Sequence, residues 1–287
     1  MMRKATDADI GPLAAFLGAH VETSMFLLGN LEAHGLGDTA HPHGTTYFLR
    51  EDAAGIAGVL GATNGGCLMC QLPGLTPKEA AACAWLLQGY TLQGITGAAA
   101  QVAGIVAALP VRAEDWRMNA VQPLYRRALS DGSPGGPPGG PVRPAAEADL
   151  PLLADWFAAY MAETGTAPTD GLADQARRRA RAAVGSPDLR LMDEDGRPVA
   201  MAAINARAGD AVQVGGVFVP PPLRGQGRAG RVVAGVLAEA RREGAGLAVL
   251  FAASPGAATA YERIGFARRG DFGVALLHEP QTLGNPA

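Results

Sequence analysis

Val217-Phe-Val-Pro-Pro-Pro-Leu-Arg-Gly-Gln-Gly-Arg-Ala-Gly230 is the stretch that decides the fold of this sequence. It joins an apolar run at 211–219, which predicts a buried strand, to an amphipathic helix predicted over 229–243. Glycines let such a loop approach a ligand closely, and the free amides at the helix start point toward that ligand. With the helix dipole, these amides form an anion site suited to phosphate, to which Arg224 and Arg228 add charge.

Two kinds of phosphate-binding loop compete for this stretch. Gly225-Gln-Gly-Arg-Ala-Gly230 satisfies the G-x-G-x-x-G pattern of dinucleotide-binding folds. However, five residues separate Val219 from Gly225, whereas the dinucleotide loop follows its strand almost at once. The next predicted strand, 247–251, is followed by Ala252-Ala253 instead of the acidic residue that holds a ribose. The stretch also lacks the lysine that a Walker A loop requires.

The second candidate is the pattern Arg224-x-x-Gly227-x-Ala229, which resembles the pyrophosphate loop of the GNAT superfamily of acyl-CoA N-acyltransferases. Downstream, Tyr261-Glu-Arg-Ile-Gly-Phe266 is similar to the Tyr-x-x-x-Gly-Phe signature of that family. The family usually has an asparagine seven residues before this tyrosine, and Ser254 occupies that position here. The resemblance extends over residues 142–277 and favours an acyltransferase over a dinucleotide-binding fold.

The resemblance implies acetyl-CoA, or another acyl-CoA, as co-substrate, with no metal. The amides of the glycine-rich loop would bind the pyrophosphate, and the pantetheine would pair with the main chain at the end of the preceding strand. Gly215-Gly216 in that strand favours a bulge or a splay that opens the sheet. The implied cofactor-binding residues are Val217, Phe218, Val219, Arg224, Gly225, Gln226, Gly227, Arg228, Ala229, Gly230 and Ser254.

Acyl transfer requires a neutral amine, a donor that stabilises the oxyanion and an acid for the leaving thiolate. The resemblance implies the Val217 or Phe218 amide for the oxyanion and Tyr261 as the acid. Aromatic packing under the sheet is the alternative role of Tyr261. The strand at 211–219 has only Gln213 as a polar side chain, so it offers no carboxylate base. Loss of the amine proton to water stays open, as do three substitute bases: Tyr160, Glu163 and His278.

The chain repeats itself on either side of a stretch rich in proline and glycine. Residues 3–17 align without gaps on residues 143–157, and residues 47–58 echo residues 189–200. A repeat of this length indicates duplicated domains, so we predict an α/β protein with two tandem GNAT-like domains, each a mixed twisted sheet flanked by helices. The predicted boundaries are 1–130 for the first domain, 131–141 for the linker and 142–287 for the second domain. The first domain lacks both motifs, so we expect one cofactor site per chain.

The composition excludes several classes of function. Of the 287 residues, 48% are hydrophobic and 18% are charged, which indicates packed cores and argues against intrinsic disorder. The net charge of −3 provides no basic field for nucleic acid or an anionic membrane. The apolar runs are too short for a transmembrane helix, and the N-terminus lacks the apolar segment of a secretory signal. Three cysteines cannot form a disulfide framework, so we expect a cytoplasmic protein.

The remaining candidate ligands have simpler explanations in the sequence. Cys67-Leu-Met-Cys70 on a strand would place its thiols on opposite faces, so it predicts packing and no chelation. His41-Pro-His43 predicts a solvated polar loop, and the arginines within 177–181 predict a solvated helix face. We therefore predict transfer of an acetyl or other acyl group from acyl-CoA to an amine of a small-molecule or peptide acceptor. A non-catalytic acyl-CoA-binding sensor or scaffold is the alternative.

Overall fold

A computed structural model of the protein describes residues 2–129, 139–166 and 170–284. The chain forms two compact units. Unit 1 comprises Met1–Gln122 and Gly270–Ala287, and unit 2 comprises Pro123–Arg269. Most of the linker predicted at 131–141 lies outside the described residues.

The first half of the chain alternates strands and helices. Its elements are β1 (Met2–Lys4), α1 (Ile10–Ala19), α2 (Val21–His34), β2 (Thr45–Asp52), β3 (Gly55–Thr63), β4 (Cys67–Gln71), α3 (Pro77–Leu86), β5 (Thr91–Ala98), α4 (Ala99–Ala108) and β6 (Trp116–Ala128). Cys67 and Cys70 lie on β4, as the sequence predicts, and Cys70 is fully buried.

The second half repeats this pattern. Its elements are β7 (Val142–Pro144), α5 (Leu150–Thr164), α6 (Leu172–Ala183), β8 (Leu189–Glu194), β9 (Arg197–Ala208), β10 (Ala211–Phe218), α7 (Arg228–Arg242), β11 (Leu247–Phe251), α8 (Pro255–Glu262) and β12 (Ala267–Thr282). The predicted strand at 211–219 and the predicted helix at 229–243 are thus both present, to within one residue at each end.

Each unit contains a mixed sheet with the same internal topology. In unit 1 the strand order is β1-β2-β3-β4-β5-β12, and in unit 2 it is β7-β8-β9-β10-β11-β6. The fourth and fifth strands of each series run parallel and are joined by a helix, whereas the other pairs described within the units run antiparallel. The predicted fold class, an α/β chain with two similar halves, is confirmed.

The closing strand of each sheet comes from the other half of the sequence. Leu124–Ala128 of β6 pairs antiparallel with β11 in unit 2, and Phe272–Thr282 of β12 pairs with β5 in unit 1. The compact units therefore differ from the boundaries predicted at 1–130 and 142–287. Composition locates a linker, but it carries no information about which sheet receives a strand that precedes or follows that linker.

The sequence repeat has a physical basis, because each unit contains an equivalent cluster of arginine–carboxylate ion pairs. In unit 1, Arg3 Nη1 and Nη2 each donate to Asp9 at 2.7 Å, and Arg3 Nε donates to Glu51 at 2.8 Å. Asp9 also accepts a bond from the Thr6 amide at 2.8 Å, so it ties the first strand to the turn before α1. The unit 2 residues that form the equivalent arginine–carboxylate bonds are Arg143, Asp149 and Asp193.

The helix after the glycine-rich loop is held by its apolar stripe. Five residues on one face of α7 are buried against the sheet of unit 2: Val232, Val233, Val236, Leu237 and Ala240. Full burial of an aliphatic side chain of this size is worth roughly 1.5–3 kcal/mol, so this stripe positions the N-terminus of α7 firmly. Among the described residues, no helix combines the length and the hydropathy needed to cross a membrane.

Candidate functional site

The sheet of unit 2 opens between β10 and β11. The two strands pair in parallel from Ala211–Leu247 as far as Val214–Leu250, and no later residue of β10 pairs with β11 in the described structure. Two register shifts against β9 fall at the same place, on either side of Gly215. Gly216 has a φ of +58°, a conformation that favours glycine. The predicted splay at Gly215-Gly216 is therefore present, and it exposes the edge of β10 at Val217.

The glycine-rich loop presents free amides at the start of α7. Gly225 and Gly227 have φ values of +79° and +73°, and a Cβ at either position would meet no heavy atom within 4 Å. Gly227 is the N-cap of α7 and, lacking a side chain, leaves the first amides of the helix uncapped. Within the described residues, the amides of 225–230 donate to no carbonyl or side chain. This arrangement suits an anion.

The third glycine of the loop has a different role. Gly230 is buried, and a Cβ there would lie 3.2 Å from Cγ2 of Ile264 and 3.3 Å from the carbonyl oxygen of Ala260. Glycine at this position therefore permits close packing of α7 against α8. Gln226 is exposed, whereas Ala229 is half-buried against the core of unit 2.

Both arginines of the loop are already paired with carboxylates. Arg224 Nη2 lies 2.8 Å from each oxygen of Glu163 on α5, and its Nε donates to the Val219 carbonyl at 2.8 Å. Arg228 donates to Glu194 at the end of β8 and to the Leu223 carbonyl. The guanidinium groups shape the loop, but their charge is largely balanced. An anion would therefore be bound mainly by the amides.

Glu194 is a site residue that the sequence did not reveal. Its carboxylate joins Arg228 to Arg231, whose Nη1 donates at 2.6 Å, and these bonds hold its pKa below the usual range. Glu194 is the last residue of β8, before a charged turn, and has no distinctive spacing to the glycine-rich loop. No sequence signal could have linked it to α7.

Helix α8 carries the two remaining predicted site residues. Ser254 is its N-cap, and the Ser254 hydroxyl accepts a hydrogen bond from the Ala257 amide at 3.2 Å. Tyr261 is 6% exposed, and in the described residues its hydroxyl has no hydrogen-bond partner. Burial, with a smaller contribution from Tyr160, raises the pKa of Tyr261 well above its usual range. The phenol therefore keeps its proton at neutral pH.

The structure places the three candidate bases in different surroundings. Glu163 is bound by both oxygens to Arg224, and Tyr160 lies on the same helix, half-buried, with the Arg179 guanidinium 5.8 Å from its ring centroid. His278 lies on the part of β12 that belongs to unit 1, whereas the glycine-rich loop belongs to unit 2. Gln213 is buried, and its Oε1 has no hydrogen bond in the described structure.

The corresponding helix start of unit 1 is capped by side chains. Helix α3 occupies the position of α7, but its N-cap is Thr76, whose hydroxyl accepts from the Glu79 amide at 3.3 Å. The Glu79 carboxylate accepts from the Thr76 amide in return, and Pro77 removes a further donor. The helix start is closed by its own side chains, and Glu79 adds negative charge.

The fold and loop of unit 2 define an α/β domain that opens its sheet beside an uncapped helix start. Residues 161–274 match the family model described as an acetyltransferase (GNAT) domain. This segment of the chain is therefore a GNAT acetyltransferase domain. No curated protein shows a significant match to the sequence.

Solved structures show the same fold over nearly the whole chain. A GCN5-related N-acetyltransferase from Sphaerobacter thermophilus is 15% identical, with a TM-score of 0.53 over 100% of this chain and 97% of its own. One from Kribbella flavida is 19% identical, with a TM-score of 0.52 over 93% and 96%. A Drosophila protein is 13% identical, with a TM-score of 0.59 over 96% and 98%. At these identities the likeness concerns the fold alone.

Proposed function

We propose that unit 2 transfers an acetyl or other acyl group from acyl-CoA to the amine of a small-molecule or peptide acceptor. The observation that supports this function is the combination, in one GNAT domain, of an opened β10 edge and a helix start with free amides. The residues present fit acyl-CoA, because the glycine-rich loop has donors without partners and the sheet offers a free strand edge. The proposal includes a cytoplasmic location, supported by three free cysteines.

The binding of the co-substrate would use two parts of unit 2. The amides from Gly225 to Arg228 would donate to the pyrophosphate, and α7 would contribute its dipole. The main chain at Val217–Val219 would pair with the pantetheine where β10 has left β11. The hydroxyl of Ser254 already caps α8. Ser254 would therefore approach the pantetheine only with the exposed start of that helix.

The acyl thioester supplies an activated carbonyl. The protein has groups suited to the two atoms that become negatively charged during the reaction, the carbonyl oxygen and the leaving sulfur. The Val217 or Phe218 amide would stabilise the oxyanion that develops when the amine attacks. Tyr261 would protonate the departing thiolate sulfur, a role supported by its buried, protonated phenol and its unpartnered hydroxyl. Without this proton the thiolate would leave into a largely apolar site.

Removal of the amine proton does not require a carboxylate in this proposal. β10 carries none, and Glu163 is occupied by Arg224. We therefore propose that the amine reacts in its neutral form after losing a proton to water. Tyr160 is the protein group that would serve as the alternative base. The rate at low acceptor concentration should then rise with pH until the pKa of the free amine is reached.

The experiment measures binding and turnover in the same full-length preparation. Calorimetry with acetyl-CoA should give one site per chain. Release of free thiol should follow when amines of several classes are added, including polyamines, amino acid amides and a lysine peptide. Absence of acetyl-CoA binding would contradict the proposal. Binding without thiol release on any amine would instead support a sensor or scaffold module.

A further inference from the structure

A second candidate site lies in unit 1. His34, His41 and His43 come together at the C-terminal end of α2, and their ligand nitrogens all lie within 4.8 Å of one another. The rings of His34 and His41 are stacked with centroids 4.1 Å apart, and the ring of His43 meets that of His41 edge-on at 5.3 Å. Sequence spacing revealed only two of these imidazoles.

We propose that His34, His41 and His43 form a binding site for a divalent transition-metal ion of the zinc class. Neutral imidazole is a ligand that suits zinc, copper and nickel, and three imidazoles leave a coordination position for water or a carboxylate. Tetrahedral zinc with bonds of about 2.0–2.1 Å requires nitrogens about 3.3 Å apart. His41 and His43 are exposed, and a turn of their rings would have to close the remaining distance between the nitrogens.

The carboxylate of Asp38 supports this assignment. Asp38, four residues after His34 and beyond the end of α2, has its Oδ2 3.4 Å from Nδ1 of His34. A carboxylate on one imidazole nitrogen orients the ring and leaves the other nitrogen for the metal, which is the usual arrangement around protein-bound zinc. The C-terminus of α2 adds the negative end of a helix dipole, which favours a cation.

The loop that carries His41 and His43 is held in place by hydrogen bonds between side chains and the backbone. Asp38 Oδ1 accepts from the Ala40 and His41 amides at 2.9 and 3.0 Å. The Asn64 side-chain amide donates to the Asp38 and His41 carbonyls, both at 2.8 Å. A Cβ at Gly44 would overlap the Asp38 carbonyl oxygen, so this turn requires glycine. Preorganisation of this kind lowers the entropic cost of ligating an ion.

One existing contact would change when the ion binds. The His43 amide donates to Nδ1 of His41 at 3.1 Å, so one His41 nitrogen is engaged in the metal-free loop. If His41 Nδ1 held the metal, the metal bond would replace this hydrogen bond; if Nε2 held it, Nδ1 would carry the ring proton and the bond from the His43 amide would break, because an amide N–H cannot accept. The ion would link the end of α2 to the segment that enters β2.

The test uses the full-length chain without an affinity tag, stripped of metal by a chelator. Cobalt(II), a spectroscopic substitute for zinc, should give visible absorption bands that saturate at one ion per chain and disappear when zinc is added. Zinc should also raise the melting temperature. His41→Ala and His43→Ala, at exposed positions, should each weaken binding by roughly tenfold or more, and His34→Gln should do the same while keeping the side-chain volume.

The chain provides its own controls, because it contains five histidines in total. His20→Ala and His278→Ala should leave cobalt and zinc binding unchanged. The proposal is overturned if neither ion binds the unmodified chain, or if binding survives in the His41→Ala/His43→Ala double variant. A thiolate-to-cobalt charge-transfer band would also overturn it, because that band would assign the ion to a cysteine such as Cys67.

Discussion

At the residue scale, Gly227 offers the sharpest test of the proposed pyrophosphate site. Its φ of +73° strains any β-branched residue, and the space around its Cβ position is open, so Gly227→Val adds bulk where the ligand would lie. We expect acyl-CoA affinity to fall by about tenfold or more, equivalent to about 1.4 kcal/mol, measured by calorimetry. Backbone strain should also lower the unfolding free energy by roughly 1–3 kcal/mol.

A matched glycine in unit 2 serves as a control that distinguishes the effect of backbone strain from the effect on acyl-CoA binding. Gly209, in the turn between β9 and β10, also has a positive φ, +54°, and open space around its Cβ position. Gly209→Val should destabilise the fold to a similar degree while acyl-CoA affinity stays unchanged. Equal affinities in the two variants would remove the loop assignment.

Tyr261 provides the corresponding test of the chemistry. Tyr261→Phe removes the proposed acid without changing packing, so we expect kcat to fall by about a hundredfold with little change in acyl-CoA affinity. Because burial raises the pKa of the phenol above its usual value near 10, Tyr261 stays protonated throughout the assay range. In the unmodified enzyme, kcat should therefore show no decline from about pH 7 to 10, measured by thiol release.

A second buried tyrosine of unit 2 serves as the control for this variant. Tyr125 is 3% exposed and donates to Glu262, the residue after Tyr261, at 2.9 Å. Tyr125→Phe should alter stability but leave kcat within about threefold of the unmodified value. If Tyr261→Phe retains full kcat, the aromatic-packing role of Tyr261 is the correct one.

At the element scale, the ion pair between Glu163 of α5 and Arg224 of the loop before α7 determines how much positive charge is available to an anion bound at that loop. Glu163 neutralises Arg224, so Glu163→Gln should free a positive charge and raise acyl-CoA affinity by about threefold at low salt. The gain should vanish near 1 M salt, where the screening length is about 3 Å. Calorimetry at two salt concentrations measures both effects.

The same variant distinguishes a charge effect from general-base catalysis. If Glu163 removed the amine proton, Glu163→Gln would lower kcat by about a hundredfold or more instead of raising affinity. Glu239→Gln is the matched control, because Glu239 pairs with Arg190 at 2.6 Å elsewhere in unit 2. It should change neither affinity nor kcat.

Individual elements near the site could be predicted well from local patterns. The apolar stripe of α7 and the two adjacent glycines of β10 determine structure through residues close to them in sequence. The predicted helix and the predicted splay are both present in the structure. Glu194 and Glu163 could not be predicted as partners of Arg228 and Arg224. They lie 34 and 61 positions away, and any surface carboxylate has the same local sequence signal.

At the scale of the whole molecule, the repeat could be predicted but the exchange of closing strands could not. The Arg3–Asp9 and Arg143–Asp149 pairs recur at the same spacing, so the alignment detects them. Residues 272–276 fall within the second domain predicted at 142–287, yet they pair with β5 in unit 1. Strand pairing between distant segments depends on tertiary packing, which alternation within a strand does not encode.

The exchange predicts which fragment of the chain can fold by itself. A fragment of residues 123–269 keeps all six strands of the unit 2 sheet, including Leu124–Ala128 against β11. A fragment of residues 142–287 loses that strand, so it leaves one edge of β11 unpaired and removes Tyr125 and Leu129 from the core of unit 2. It also carries Gly270–Thr282 without β5.

We therefore expect the 123–269 fragment to unfold cooperatively and to bind one acyl-CoA, because the loop and the opened β10 edge belong to unit 2. The 142–287 fragment should melt at a lower temperature or aggregate, since an unpaired apolar strand edge promotes association and each lost core side chain costs roughly 1.5–3 kcal/mol. Circular dichroism melting and calorimetry on both fragments measure this difference. Equal stability would mean that the β6–β11 pairing contributes nothing to unit 2. Cooperative folding of 123–269 without acyl-CoA binding would mean that residues outside unit 2 complete the site.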